Sequence, residues 1–125
     1  MIVKVNCIQP DFTKQGGLIP VIIQKHNQEQ RGEVLMLAYS NSEAYNLTKK
    51  TGLVHFWSRS RKKLWKKGET SGNLLVVRQI WMDCDQDTLL YVVTPRGTVC
   101  HLEKSSCFSQ VTYVAGEEIG TVYTT

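Results

Sequence analysis

The sequence predicts an α+β fold: a mainly antiparallel β-sheet with one principal helix, in a single domain spanning residues 1–125. Three observations lead there. Short apolar runs, rich in β-branched residues, recur along the chain between polar or Gly-containing breaks, as strands joined by tight turns do. Only one stretch, Ser40 to Lys50, carries both start and stop signals of a helix. No repeat, low-complexity tract or linker divides the chain, and 125 residues of which 42% are apolar suit one core.

Taken in order, Val21-Ile22-Ile23 reads as a strand after Pro20, and the polar Asn27 to Gly32 as a turn. Val34 to Tyr39 is continuously apolar, the mark of a buried strand. In the helix, Ser40 with Glu43 fits a capping box, Lys49 and Lys50 sit in the last turn where cations suit the dipole, and Gly52 ends it. Leu53 to Ser58 reads as a strand running into a basic segment, and Gly68 to Asn73 as a Gly/Ser/Thr-rich loop. Leu74 to Met82 and Leu89 to Thr94 read as strands, with a turn at Pro95-Arg96-Gly97 and a last strand at Val111 to Val114.

The net charge of +4 is local. Arg59, Arg61, Lys62, Lys63, Lys66 and Lys67 fall together with no acid among them; removing these six from fifteen basic residues leaves nine against eleven acidic ones, a net of −2. One positive segment on an otherwise acidic chain suits a small phosphorylated ligand better than a nucleic-acid surface. Arg supplies bidentate phosphate contacts, and Gly68, Thr70, Ser71 and Gly72 supply N–H groups and hydroxyls for a phosphate cradle. Trp57 and Trp65 offer stacking faces. No apolar stretch approaches the ~20 residues that span a bilayer, and the N-terminus lacks signal-peptide character, which predicts a cytoplasmic protein without a membrane partner.

In a reducing compartment Cys7, Cys84, Cys100 and Cys107 read as metal ligands, catalytic thiols or buried apolar residues; Cys7, with no partner near it in sequence, reads as structural. Close Cys-x-x-Cys pairs are absent, so a zinc ribbon is excluded, while three thiolates would leave a catalytic zinc its open position. Asp83-Cys84-Asp85-Gln86-Asp87 interleaves hard and soft ligands. On an extended strand the three carboxylates would share one face with Cys84 opposite. An EF-hand is excluded, because Thr88 and Thr94 stand where Gly and Glu are needed. The aspartates suit either magnesium beside a phosphate or a solvated acidic turn. His101, after Cys100, is a fourth ligand, a base, or a surface or core residue with no chemical role, and taken alone the last reading would win.

The chain resembles the phosphoribosyl-AMP cyclohydrolase family of histidine biosynthesis, in its monofunctional form, from about Gly32 to Phe108. The motifs are Val34 to Tyr39, Phe56-Trp57-Ser58-Arg59-Ser60-Arg61, Leu64-Trp65 with Lys67 to Gly72, Asp83-Cys84-Asp85 with Asp87, Cys100-His101, and Ser106-Cys107-Phe108. The resemblance implies a zinc-dependent hydrolase that opens the adenine ring of N1-(5-phosphoribosyl)-AMP at the N1–C6 bond. It implies zinc on Cys84, Cys100 and Cys107, magnesium on Asp83, Asp85 and Asp87, and a homodimer drawing zinc ligands from both subunits. His101 is the implied catalytic base, with His55 second. Arg59, Arg61, Trp65, Lys67, Glu69, Thr70 and Ser71 are the implied substrate contacts. The chain departs from the family pattern at Ser40, usually Met, and at Leu102-Glu103, usually Thr-Gly. A zinc-stabilised nucleic-acid-binding module using residues 59–67 is the competing expectation. A nucleoside deaminase is disfavoured by the missing His-x-Glu and Pro-Cys-x-x-Cys motifs.

Overall fold

The computed structural model describes residues 8–27, 32–102 and 104–116. Cys7, Glu103 and most of the expected turn between Asn27 and Gly32 lie outside the described residues. The elements run β1 (Ile19–Lys25), β2 (Val34–Ser40), α1 (Ser42–Thr51), β3 (His55–Ser58), β4 (Lys63–Lys66), β5 (Leu75–Met82) and β6 (Leu89–Pro95). The fold is α+β, with one helix and mainly antiparallel strands, as expected.

The main sheet has the order β2-β1-β6-β5. β1 pairs antiparallel with β2 and β5 antiparallel with β6, while the central pair β1–β6 is parallel. The central strands β1 and β6 bury more apolar side chains than either edge strand. In β1 the alternation is strict: Ile19, Val21 and Ile23 are buried and the residues between them are not. They join Leu35, Leu75, Leu89, Tyr91, Val93 and Val99 in one core. α1 closes this core with Ala44, Tyr45 and Thr48, one turn apart on one face.

β3 and β4 form a separate hairpin, His55 opposite Lys66 and Phe56 opposite Trp65. It is tied to the main sheet through the chain just before it: Val54 N–H donates to Leu75 O at 3.1 Å, and Val77 N–H to Gly52 O at 2.9 Å. Phe56 is fully buried, with Trp65 packed against it at 5.2 Å between ring centroids.

Four expectations need correction. Asn41, not Ser40, caps the helix: its side chain accepts from Ala44 N–H at 2.8 Å. Ser40 is instead the last residue of β2, buried and paired with Ile19, so Glu43 stands one position too early for a capping box. The basic segment contains strand β4, where Leu64 and Trp65 meet β3; flanking lysines hid that apolar pair. Residues 111–114 form no strand: Val111 and Tyr113 are exposed and have no ladder partner among the described residues. Finally, Asp83 to Asp87 is not extended but is the turn that joins β5 to β6.

Candidate active site

The β5–β6 turn gathers carboxylates by folding back rather than by strand alternation. Asp83 N–H donates to Thr88 O at 3.0 Å, and Gln86 N–H to Asp83 O at 3.2 Å. Asp83 Oδ1 accepts from the N–H groups of Asp87 (3.0 Å) and Thr88 (3.1 Å), and Gln86 takes a positive φ of 67°. One oxygen from each of Asp83, Asp85 and Asp87 then falls within 4.8 Å of the others. The N-terminal segment buttresses this turn from outside. Asp11 N–H donates to Gln86 O at 2.8 Å, Gln86 Nε2 to Gln9 O at 3.0 Å, and Lys14 Nζ to Asp85 O. Lys14 also stands 4.0 Å from an Asp87 oxygen.

The electrostatics of the turn are uneven. Desolvation pushes Asp83 up, but the N–H groups of Asp87 and Thr88 and the neighbouring carboxyls outweigh it and hold Asp83 below the usual carboxylate range. Asp87 is pushed up by its contact with Asp85, by desolvation and by the adjacent negative charges. Three oxygens that repel one another on an exposed turn fit a hard divalent cation, which would remove that repulsion.

Cys100 and Cys107 are brought together at the other end of the chain. Cys100 N–H donates to Lys104 O at 3.1 Å, closing a short loop. Cys107 N–H donates to Leu35 O at 2.7 Å, and buried Ser106 Oγ donates to Val34 O at 2.8 Å, which lays residues 106–107 along the edge of β2. Desolvation pushes the Cys107 thiol up, as does the hydrogen bond with Cys100, while Lys67 pulls it down. Two adjoining sulfurs fit a soft metal such as zinc. Cys84 is exposed on the acidic turn, and among the described residues the three cysteines do not converge within one chain. His101 is exposed beside Cys100.

Lys67 lies between the end of β4 and the Gly68–Asn73 loop. Its Nζ donates to Val99 O at 2.7 Å, one residue before Cys100. Gly68 lets this loop fold back onto its own end: φ is +84°, and a Cβ there would collide with the Asn73 backbone. Glu69, Thr70 and Ser71 are exposed on the same loop.

A cleft of about 800 Å³ is lined by Leu37, Ala38, Tyr39, Trp57 to Arg61, and Trp65. It holds Arg59, Arg61 and Trp65, while Lys67 to Ser71 do not line it, so the expected substrate contacts fall in two places. His55 is outside the cleft lining; its Nδ1 lies 2.9 Å from Leu53 O. A carbonyl only accepts, so Nδ1 carries the proton and Nε2 presents the lone pair. Ser106 and Tyr39 fall within the quoted motifs but carry no role in the sequence reading, although a small polar residue beside a ligand candidate is a usable signal for the first.

The model of the phosphoribosyl-AMP cyclohydrolase family matches residues 36–109. The chain belongs to this family. Among phosphoribosyl-AMP cyclohydrolases it is 57% identical to that of Cenarchaeum symbiosum over 78% of this chain and 88% of the relative. It is 61% identical to that of Archaeoglobus fulgidus over 74% and 82%, and 52% identical to that of Streptococcus gordonii over 83% and 89%. The cyclohydrolase match encloses both the acidic turn and the cysteine pair, together with His55, His101 and the basic hairpin.

Proposed function

We propose that this chain is a zinc-dependent, magnesium-assisted phosphoribosyl-AMP cyclohydrolase acting in the cytoplasm as a homodimer. The observation that carries the reading is that the family match spans every residue of the two candidate metal centres. Cys100 and Cys107 of one subunit hold zinc together with Cys84 of a second copy, since one chain supplies only an adjoining pair. Asp83, Asp85 and Asp87 hold magnesium. Zinc, when bound, supplies Lewis-acid chemistry, lowering the pKa of a ligated water from ~16 to about 7.

The chain's own groups do the rest. Arg59 and Arg61, on the cleft, and the Gly68–Asn73 loop hold the two phosphates of the substrate. Clamping both ends places C6 of the N1-substituted adenine beside the thiolates, an orientation effect with an upper range of roughly 7–11 kcal/mol. Substitution at N1 makes C6 electrophilic. Water adds there, the N1–C6 bond breaks with its electron pair going to N1, and the added oxygen becomes the carbonyl of a carboxamide. Of the two protons the water gives up, one is returned to N1 and the other goes to the exocyclic imine nitrogen, which becomes the amide NH2. His101, adjoining Cys100, accepts the proton that is returned to N1; His55, with Nε2 free, is the second candidate. No nucleic-acid or membrane partner is needed, and no described helix is long and apolar enough to cross a membrane.

Metal analysis paired with a ring-opening assay tests the reading. Zinc should copurify, and a chelator should abolish turnover. Cys107→Ala should lower turnover by more than roughly 100-fold, since even residues behind the ligands commonly cost 10–100-fold. Normal turnover by a zinc-free Cys107→Ala protein contradicts it.

A further inference from the structure

Arg59 sits in the turn between β3 and β4, but its guanidinium is not left to wander. The Arg59 Cζ lies 3.8 Å from the centroid of the Tyr39 ring, near the end of β2. Stacking of this kind uses the flat face of the guanidinium and leaves its five edge N–H donors free. Among the described residues no carboxylate or carbonyl takes those donors. Both side chains line the cleft, together with the hydroxyl-bearing Ser58 and Ser60 and with Arg61, and among the described residues no acid lines it. An exposed arginine with unused donors, fixed over an aromatic face at the wall of an acid-free cleft, is a preformed fork for an oxyanion.

We infer that Tyr39 is a positioning residue that holds Arg59 as a ready clamp for a phosphate group of the substrate. The inference rests on the reading of Arg59 as a phosphate contact. Its distinct content is that the ring face of Tyr39, not its hydroxyl, sets the affinity. The hydroxyl is dispensable because the stack needs only the π-system. A ring-free side chain leaves Arg59 to be ordered anew at each binding event, which weakens binding of the phosphate while the reacting end is untouched.

Steady-state kinetics on the holoenzyme, with calorimetric titration of AMP as the probe ligand, tests this. Tyr39→Phe should keep KM and AMP affinity within about twofold. Tyr39→Leu should raise KM and weaken AMP roughly 2- to 30-fold, the range of one cation–π contact, with kcat within about twofold. Tyr39→Thr, which suits a strand, is the second ring-free variant should Tyr39→Leu melt early. In an Arg59→Ala background, Tyr39→Leu should add nothing, because the two residues act as a unit. A Tyr39→Phe protein as impaired as Tyr39→Leu, or an undiminished Tyr39→Leu effect in the Arg59→Ala background, overturns the inference while leaving Arg59 as a contact. An Arg59→Ala protein with normal KM and AMP affinity overturns the phosphate role of Arg59 itself, and the inference with it.

Discussion

The acidic β5–β6 turn and the Cys100–Cys107 segment are both candidate metal centres, but they are built to different degrees. The turn is complete within one chain: its oxygens fall within 4.8 Å of one another, and backbone N–H groups and the N-terminal segment brace it. On the proposed reading the cysteine centre is half a site. Leu35 and Val34 fix residues 106–107 against β2, but the third expected thiol is on the acidic turn and does not reach the pair. On the proposed reading, a hard cation would be gathered by a short local fold, whereas a soft one would call for a second copy of the chain. Leu102 and Phe108, 60% and 63% exposed, flank the cysteine pair with apolar surface that a second copy would cover.

The contrast can be broken from either side. The largest effect is expected at Asp85: Asp85→Asn should weaken divalent-cation binding by at least roughly 10-fold in a titration, with zinc content unchanged, if the two centres are independent. Loss of both metals together would show that they are one site. A smaller effect is expected at Ser106, whose hydroxyl is buried between the ligand segment and β2. Ser106→Ala leaves a carbonyl without its partner and should cost about 1–3 kcal/mol in denaturant unfolding, with weaker zinc retention and normal magnesium binding. The smallest is at the helix cap. Asn41→Ala should cost about 1 kcal/mol of stability by thermal melting, with zinc and magnesium stoichiometry unchanged, since the cap touches neither centre.

What was legible in the sequence follows from how local the signals are. β1, β2, β5 and β6 announced themselves by apolar runs, and Gly52 marked the helix end because only a residue at ease with φ of 76° closes it there. β4 was missed because lysines flank its two apolar residues, and the charge outweighed the alternation. The cap was displaced by one residue because Ser40 and Asn41 are both good caps and only the pairing of Ser40 with Ile19 decides between them. For the site, residue types in order pointed to candidate metal ligands, and the three aspartates do lie close together, though a turn and not a strand gathers them. The stacking of Arg59 on Tyr39 joins two segments far apart in sequence, and no local pattern foretells it.

Subunit mixing tests the central claim, that the zinc centre is completed across a dimer. Cys84→Ala and Cys107→Ala proteins, each inactive alone, are dissociated together, reassembled with zinc and assayed for ring opening. If Cys84 serves the partner's Cys100–Cys107 pair, half of the randomly mixed dimers regain one intact site of two, and activity returns to about a quarter of that of the unaltered protein. If all three thiolates come from one chain, no mixed dimer contains an intact site. Activity that stays at the level of the separate variants would contradict the account.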